Sequence, residues 1–410
     1  MKRGQPSMRV LHINAVYEVG STGTIVADIH KASQNCGIES YVVFAFSPIP
    51  IENINNGYQI GSALDKKIHA ILCRINGKQG YFSRIATNKL LKYIEKIKPD
   101  IINLHNLHSN YINLNTLLKY LGEKDIKTII VLHDCWFYTG GCFHYTVAKC
   151  TKWMEHCGNC PKKLTDTPAY LKDCSKKILA DRKKYLSAIN NLTVVGVSEW
   201  ITREAEKTFL KNKRCVTIYN GIDFEFFKSV TSDFRKTNDL LNKFIVLGMA
   251  NKWLSEINAD VLATFSAKLG GDSVLLIIGC NEKQAERLPE NVVTLPYISD
   301  RYQLREVYST CDVFVNCTRE ESLSLVNIEA QACGTPVVTF ANTGVAETVD
   351  EKSGFAVETG NTLNLLKATL EVKKHGKSSY SMACIKFVKE KFSKTENYGK
   401  YLKLYEELNK

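Results

Sequence analysis

With 410 residues, 44% of them hydrophobic and only 24 glycines and 9 prolines, the chain has the make-up of a folded two-domain protein, not of a collagen-like, repeat or disordered one. Its 54 Lys and Arg against 42 Asp and Glu leave a net charge of +12, which suits nucleic acid, an anionic membrane surface or a phosphorylated small molecule. The excess is dispersed, with no basic tail and no zinc-finger or RNA-binding signature, so nucleic acid is excluded as the partner.

Residues 1–7 read as a short basic extension without the apolar region of a signal peptide, and no run reaches the roughly 18 apolar residues needed to span a bilayer. A cytoplasmic location is therefore expected. The first half alternates β-rich and helical runs, with strands expected at 10–13, 40–44, 101–104, 128–132 and 192–197. Most are continuous apolar runs, as in a parallel sheet covered on both faces. Gly20-Ser21-Thr22-Gly23 follows the first of them and precedes a helical pattern over 24–36. Gly20 and Gly23 there form either a plain turn or a loop that brings a phosphate to backbone amides.

Tyr219-Asn220-Gly221 signals a turn, a polar stretch over 228–242 follows, and the pattern then restarts. Strands are expected at 244–248, 274–279, 291–295, 313–316 and 336–340. Helices are expected at 259–269, at 301–310 and through Glu329. The domains are thus expected at 1–220 and 221–394, with a terminal helix at 395–410 lying back on the first. Two doubly wound α/β units place ligands in a cleft between them.

The segment from Asp312 to Pro336 carries the most chemistry. A buried strand ends in a loop with acids, and a helix begins near Ser324. With Glu321 in the loop and Glu329 within the helix, two carboxylates can flank one ligand, accepting hydrogen bonds from sugar and ribose hydroxyls. The free amides around Leu325 and Val326 between them suit a pyrophosphate. The plain alternative is a pair of surface acids beside a helix N-terminus.

This stretch resembles the E-x7-E signature of retaining glycosyltransferases of family 4, the group 1 glycosyl transferases, which have the GT-B fold of two Rossmann-like domains. The resemblance implies that Glu321 contacts the transferred sugar and Glu329 the ribose. Ala330-Gln331-Ala332-Cys333-Gly334-Thr335-Pro336 and Gly344-Val345-Ala346-Glu347 are similar to the family's next two segments. Tyr219-Asn220-Gly221-Ile222-Asp223 resembles its interdomain segment, and the run from Pro99 to His108 together with Val131-Leu132-His133-Asp134 resembles its acceptor-side strand ends. Ser322 and Ser324 replace the usual glycine and proline. Ile257-Asn258 stands where a Lys-Gly pair normally holds the diphosphate, leaving Lys252 or Arg319 to supply that charge; a non-catalytic sugar-nucleotide or glycan binder is the alternative this departure raises. A GT-B phosphorylase or epimerase would need a similar phosphate site.

On the acceptor side, His133 matches a family histidine near the reacting sugar, and His105, His108 and Asp134 lie at the same strand ends. Residues 66–98 hold nine Lys or Arg and one acid, interleaved with apolar residues. They form either solvated helices over the sheet or a basic amphipathic face for anionic lipid. Of the 14 cysteines, Cys142, Cys150, Cys157 and Cys160 fall within an insertion at 141–161. A structural zinc site is expected there, with His144 and His156 as substitute ligands; disulfides and unlinked thiols are the alternatives. Neither a redox cofactor nor a catalytic metal is expected. The overall expectation is a retaining transfer of a hexosyl-type group from a nucleotide diphosphate sugar to a glycan or lipid-linked glycan, in cell-surface polysaccharide assembly, on or near the inner face of the membrane.

Overall fold

The structure is a computed structural model that describes residues 8–410; residues 1–7, read above as an extension, lie outside the described residues. It divides into two units. The first holds the chain up to Asn220 together with Glu396–Lys410, and the second is Gly221–Thr395.

In the first unit the elements run β1 (Arg9–Ile13), α1 (Gly20–Asn35), β2 (Glu39–Phe44), β3 (Gly57–Gln59), α2 (Ala63–Asn76), α3 (Arg84–Ile97), β4 (Ile101–Leu104), α4 (Leu114–Glu123), β5 (Lys127–Leu132), α5 (Ser175–Ser187), β6 (Leu192–Gly196), α6 (Glu199–Glu206) and β7 (Arg214–Thr217). The seven strands form one sheet in the order β3-β2-β1-β4-β5-β6-β7. All its pairings are parallel. Val10, Leu11, Ile101, Ile102, Ile129 and Ile130 are completely buried, which is why these strands carry no polar alternation.

Helix α1 begins at Gly20, not at Thr24, so both glycines belong to its first turn and no glycine loop precedes it. The reason is close packing. A Cβ on Gly23 would lie 3.2 Å from Val16 Cγ2 and 3.4 Å from the Glu18 amide nitrogen, so glycine lets the helix start close against residues 16–18 without displacing them.

Between β5 and α5 the chain makes a long excursion that contains the clustered cysteines. Its two ends are tied together. Arg182 of α5, fully buried, donates to the carbonyls of Trp136 and of Thr139 (2.6 Å), and its guanidinium lies 3.7 Å above the Trp136 ring. Gly140 packs so tightly that a Cβ there would sit 2.8 Å from the Cβ atoms of both Ser175 and Cys157. Trp153 fills the interior of the excursion, stacked on Tyr145 at 4.3 Å between ring centroids.

In the second unit the elements are α7 (Phe234–Thr237), β8 (Phe244–Met249), α8 (Ala250–Trp253), α9 (Ala259–Lys268), β9 (Ser273–Ile278), α10 (Glu282–Ala285), β10 (Val292–Leu295), α11 (Arg301–Thr310), β11 (Val313–Asn316), α12 (Leu325–Ala332), β12 (Val337–Phe340), β13 (Gly354–Val357), α13 (Thr362–His375) and α14 (Ser378–Phe392). The sheet order is β10-β9-β8-β11-β12-β13, again parallel throughout. The last helix, α15 (Lys394–Asn409), buries Tyr398, Tyr401, Leu404 and Tyr405. Within the first unit the Tyr405 hydroxyl accepts a hydrogen bond of 2.8 Å from Asn103 Nδ2 on β4.

In each sheet the strand order reverses at one place, between β1 and β4 and between β8 and β11. Loops diverge there to opposite faces and leave a crevice at the carboxyl ends of the strands. Among the described residues no helix is long and apolar enough to cross a membrane.

Candidate functional site

In the second unit the reversal point carries the acids. Asn316 ends β11, fully paired: its Nδ2 donates to Ser324 Oγ (2.9 Å) and Asn327 Oδ1 (2.8 Å), and its Oδ1 accepts from the Thr318 amide (3.1 Å). These bonds fold residues 317–324 back onto the strand and fix where α12 starts. Thr343 clamps the same loop, donating from Oγ1 to the Glu321 carbonyl (2.6 Å) and accepting from the Glu321 amide (3.2 Å). The turn over Thr343–Thr348, which contains Glu347, is held to α12 by Asn327 and Gln331, whose side-chain amides reach Thr348 at 2.8 and 2.6 Å.

This arrangement fixes the backbone of Glu321. Its Oε2 is buried without a hydrogen-bond partner, and Lys252 Nζ stands 3.9 Å away. Burial raises its pKa, against the opposing pull of Lys252 and the Ser324 hydroxyl. Glu329, one helical turn into α12, accepts a 3.2 Å hydrogen bond from the Tyr308 hydroxyl. Burial pushes it up to about 7 in spite of that bond and of nearby Arg301. The side chain of Ser324 does not cap α12, so the amides of Leu325 and Val326 have no side-chain acceptor there.

The two cations expected to replace the missing lysine behave differently. Lys252 lies in α8, directly after β8, and α8 is bolted to the neighbouring strand by Trp253, whose Nε1 donates to the Val315 carbonyl at 3.0 Å. Gly248 makes room for this indole, because a Cβ there would collide with it. Lys252 is thereby brought to Glu321. Arg319 is instead occupied by Asn258 (2.8 Å) and Asp260 (2.9 Å), which offsets its charge. Ile257, in the lysine position, is 44% exposed.

In the first unit the reversal point carries imidazoles. His12 of β1, His105 just past β4 and His133 just past β5 form a continuous row. His12 Nδ1 lies 3.4 Å from His105 Nε2, and His105 Nδ1 lies 3.1 Å from His133 Nε2. Adjacent rings are stacked, with centroids 5.6 and 5.4 Å apart. His105, expected on the acceptor side, is fully buried with both nitrogens engaged, so it supports the site from behind; His133 is only half-buried. Burial lowers all three, His12 to about 3, His133 to about 4, and His105 well below the usual range, so the row is neutral at physiological pH.

His108 pairs with Asp134 at 3.1 Å, and Asp134 also receives the Trp136 amide at 2.8 Å. His108 borders a cavity of about 240 Å³ whose other walls include Arg74 of α2, Gln79, Asn110, Phe143 and Asp166. The insertion thus supplies one wall beside the histidines. Its four cysteines are unbridged thiols, and among the described residues no three Cys, His or acidic side chains are arranged to hold a metal ion. Burial pushes Cys142 up to about 12 and Cys157 up to about 11.

His12, Asn316, Trp253 and Tyr308 were not picked out from the sequence. Each would have needed the strand order, although a histidine in the otherwise apolar run of β1 was a visible signal.

Two parallel, doubly wound sheets, one with an acid pair and an uncapped helix at its reversal point, define a glycosyltransferase of GT-B architecture. Residues 22–226 match the family Glycosyltransferase Family 4, and residues 244–375 match Glycosyl transferases group 1. The chain belongs to this glycosyltransferase family. It is 22% identical over 377 residues to the putative colanic acid biosynthesis glycosyl transferase WcaC of Escherichia coli K12, covering 88% of this chain and 90% of that protein. Among solved structures, sucrose-phosphate synthase from Thermosynechococcus elongatus superposes with a TM-score of 0.69 at 16% identity, over 98% of this chain and 99% of that one. Anabaena HepE in complex with UDP-glucose gives a TM-score of 0.63 at 14% identity, over 98% and 100%.

Proposed function

We propose that the chain is a retaining hexosyltransferase that takes a nucleotide diphosphate sugar as donor and a glycan or lipid-linked glycan as acceptor, in polysaccharide assembly. The carrying observation is the buried carboxylate oxygen of Glu321, which has no hydrogen-bond partner and stands beside Lys252, next to the uncapped start of α12. The oxygen wants a hydroxyl donor, whereas the lysine and the amides want an anion, and a sugar diphosphate offers both. Glu329 would receive ribose hydroxyls, the amides of Leu325 and Val326 the diphosphate, and Glu321 the sugar. The sugar's bond to the β-phosphate oxygen breaks as the acceptor oxygen bonds the same carbon from the same face. The acceptor proton passes to the departing diphosphate, so no protein nucleophile is required. These groups act by positioning and by stabilising leaving-group charge.

The polysaccharide assignment draws on the WcaC relative, and the donor class on the UDP-glucose complex of a protein with this fold. Incubation with a panel of nucleotide sugars and a saccharide acceptor, followed by mass, tests the reading. Donor consumed only with acceptor supports it. Donor bound but never consumed would favour a non-catalytic binder, the reading that exposed Ile257 and the Asp260-held Arg319 favour.

Two further parts of the proposal concern the first unit. Helix α2 exposes Leu64, Ile68, Ile71 and Ile75, spaced along one helical face, beside exposed Lys67 and Arg74. α3, by contrast, buries its apolar face. This α2 face would sit on an anionic membrane surface. A structural zinc would be held by Cys142, Cys150, Cys157 and Cys160. Cys142 lies within electrostatic range of Cys157 and Cys160, and Cys150 lies within similar range of those two. Buried Arg182, with Cys142 and Cys157 nearby, has no carboxylate in ion-pair contact among the described residues, with Asp134 acting on it only at longer range, so a thiolate cluster would add to its counter-charge. Binding requires the thiols to draw closer than they stand, and elemental analysis of the purified protein, with Cys157→Ser as control, decides it.

A further inference from the structure

The row of imidazoles has a direction. Three neutral rings make two contacts, and each ring has one N–H and one lone pair to spend. Both contacts can be satisfied in only two ways. In one, His12 Nδ1–H donates to His105 Nε2, and His105 Nδ1–H donates to His133 Nε2. In the other, every proton sits on the opposite nitrogen. The two differ at the closed end of the row, where His12 Nε2 is buried with no hydrogen-bond partner. The first arrangement leaves a bare lone pair there, and the second leaves an orphaned N–H, which is rarer in buried sites than an under-used acceptor.

At the open end, His133 Nδ1 has no hydrogen-bond partner among the described residues, and its ring is half-buried. We propose that His12 and His105 are positioning residues that fix His133 in its Nδ1–H form, so that it presents a hydrogen-bond donor, and no basic nitrogen, to an oxygen of the bound substrate. His133 then orients a hydroxyl or phosphoryl oxygen by donating to its lone pair and takes no proton from the acceptor. This agrees with a displacement in which the leaving diphosphate is the base. The proposal rests on the reading of His133 as substrate-facing, but the tautomer itself can be measured without substrate.

The test uses the full chain labelled with ¹⁵N-histidine, in which long-range ¹H–¹⁵N spectra at neutral pH report which ring nitrogen holds the proton. His133 is assigned by its loss in His133→Gln. The expected pattern is a protonated Nδ1 and a bare Nε2. In His105→Asn the side-chain amide can replace the Nδ1–H donor, and the His133 pattern is retained. In His105→Leu the proton of His133 redistributes toward Nε2. Turnover should fall about tenfold in His105→Leu with nucleotide-sugar binding unchanged, and should be largely restored in His105→Asn. A protonated Nε2 on His133 in the parent chain overturns the proposal. So does an equal loss of turnover in the Asn and Leu variants, which would make His105 a packing residue only. If no nucleotide sugar is turned over by any form, the transferase reading fails, while the spectra still decide the tautomer.

Discussion

Glu329→Gln separates what this carboxylate costs the empty protein from what it gives a ligand. Burial raises its pKa from 4.5 to about 7, so the folded chain holds this proton more tightly than the unfolded chain does. The associated stability is present in full below the unfolded value and is lost as pH rises through about 7. At 1.36 kcal/mol per unit the full shift would be worth ~3 kcal/mol. The side chain is half-buried, so water screens part of the cost and about 1–2 kcal/mol is the better expectation. Glutamine keeps an acceptor for the Tyr308 hydroxyl and removes the charge. Thermal unfolding without ligand should therefore show the variant a few degrees more stable than the parent at pH 8 and equal to it near pH 4.5. Comparison at each pH cancels the contributions of the neutral histidines. The same variant should bind nucleotide sugar at least tenfold more weakly at pH 8, because ribose hydroxyls lose a charged acceptor worth ~1.5–3 kcal/mol. An identical stability difference at both pH values, or a loss at pH 8, would show that Glu329 carries no burial cost when ionised.

Glu321→Ala should lower turnover by the equivalent of ~1.5–3 kcal/mol while leaving nucleotide affinity nearly intact, as read by steady-state kinetics beside calorimetric binding of the nucleoside diphosphate. Gly248→Ala should destabilise the chain by about 1–3 kcal/mol through overpacking against Trp253, and it should weaken donor binding by displacing Lys252; chemical denaturation and a binding titration check both. Ile71→Glu combined with Arg74→Glu should reduce sedimentation with anionic vesicles at low salt and leave the melting temperature unchanged, since both side chains are exposed. Lys66 is a poorer choice for that test, because its Nζ is turned inward onto the Ala45 carbonyl at 2.5 Å.

The central strands were legible because a parallel sheet covered on both faces demands largely apolar runs, and β1, β4, β5, β8 and β11 have them, interrupted by His12 in β1 and Asn103 in β4. The strands that escaped notice, β3, β7 and β13, are three or four residues long, with exposed or half-buried side chains such as Gln59 and Arg214, and lack that signature. The acid pair could be read because it is local in sequence. The imidazole row could not, since His12 and His105 are 93 residues apart and become neighbours only when β1 pairs with β4. The glycines of the first turn of α1 are ambiguous in sequence for a related reason. Gly23 makes a close approach to residues 16–18, and such an approach leaves the same trace in sequence as a phosphate loop.

Arg182 makes the excursion between β5 and α5 a closed ring, because the chain leaves and returns at one hydrogen-bonded point. Closing a longer loop costs only about 0.6 kcal/mol for each doubling of its length. The ends of the stretch between Thr139 and Ser175 are thus held together whatever its length. Phe143 and Asp166, which wall the cavity beside His108, belong to that stretch. Changes of length within this wall therefore carry only a small entropic cost. Proteins sharing the sheet can consequently differ in the cavity that this one stretch lines.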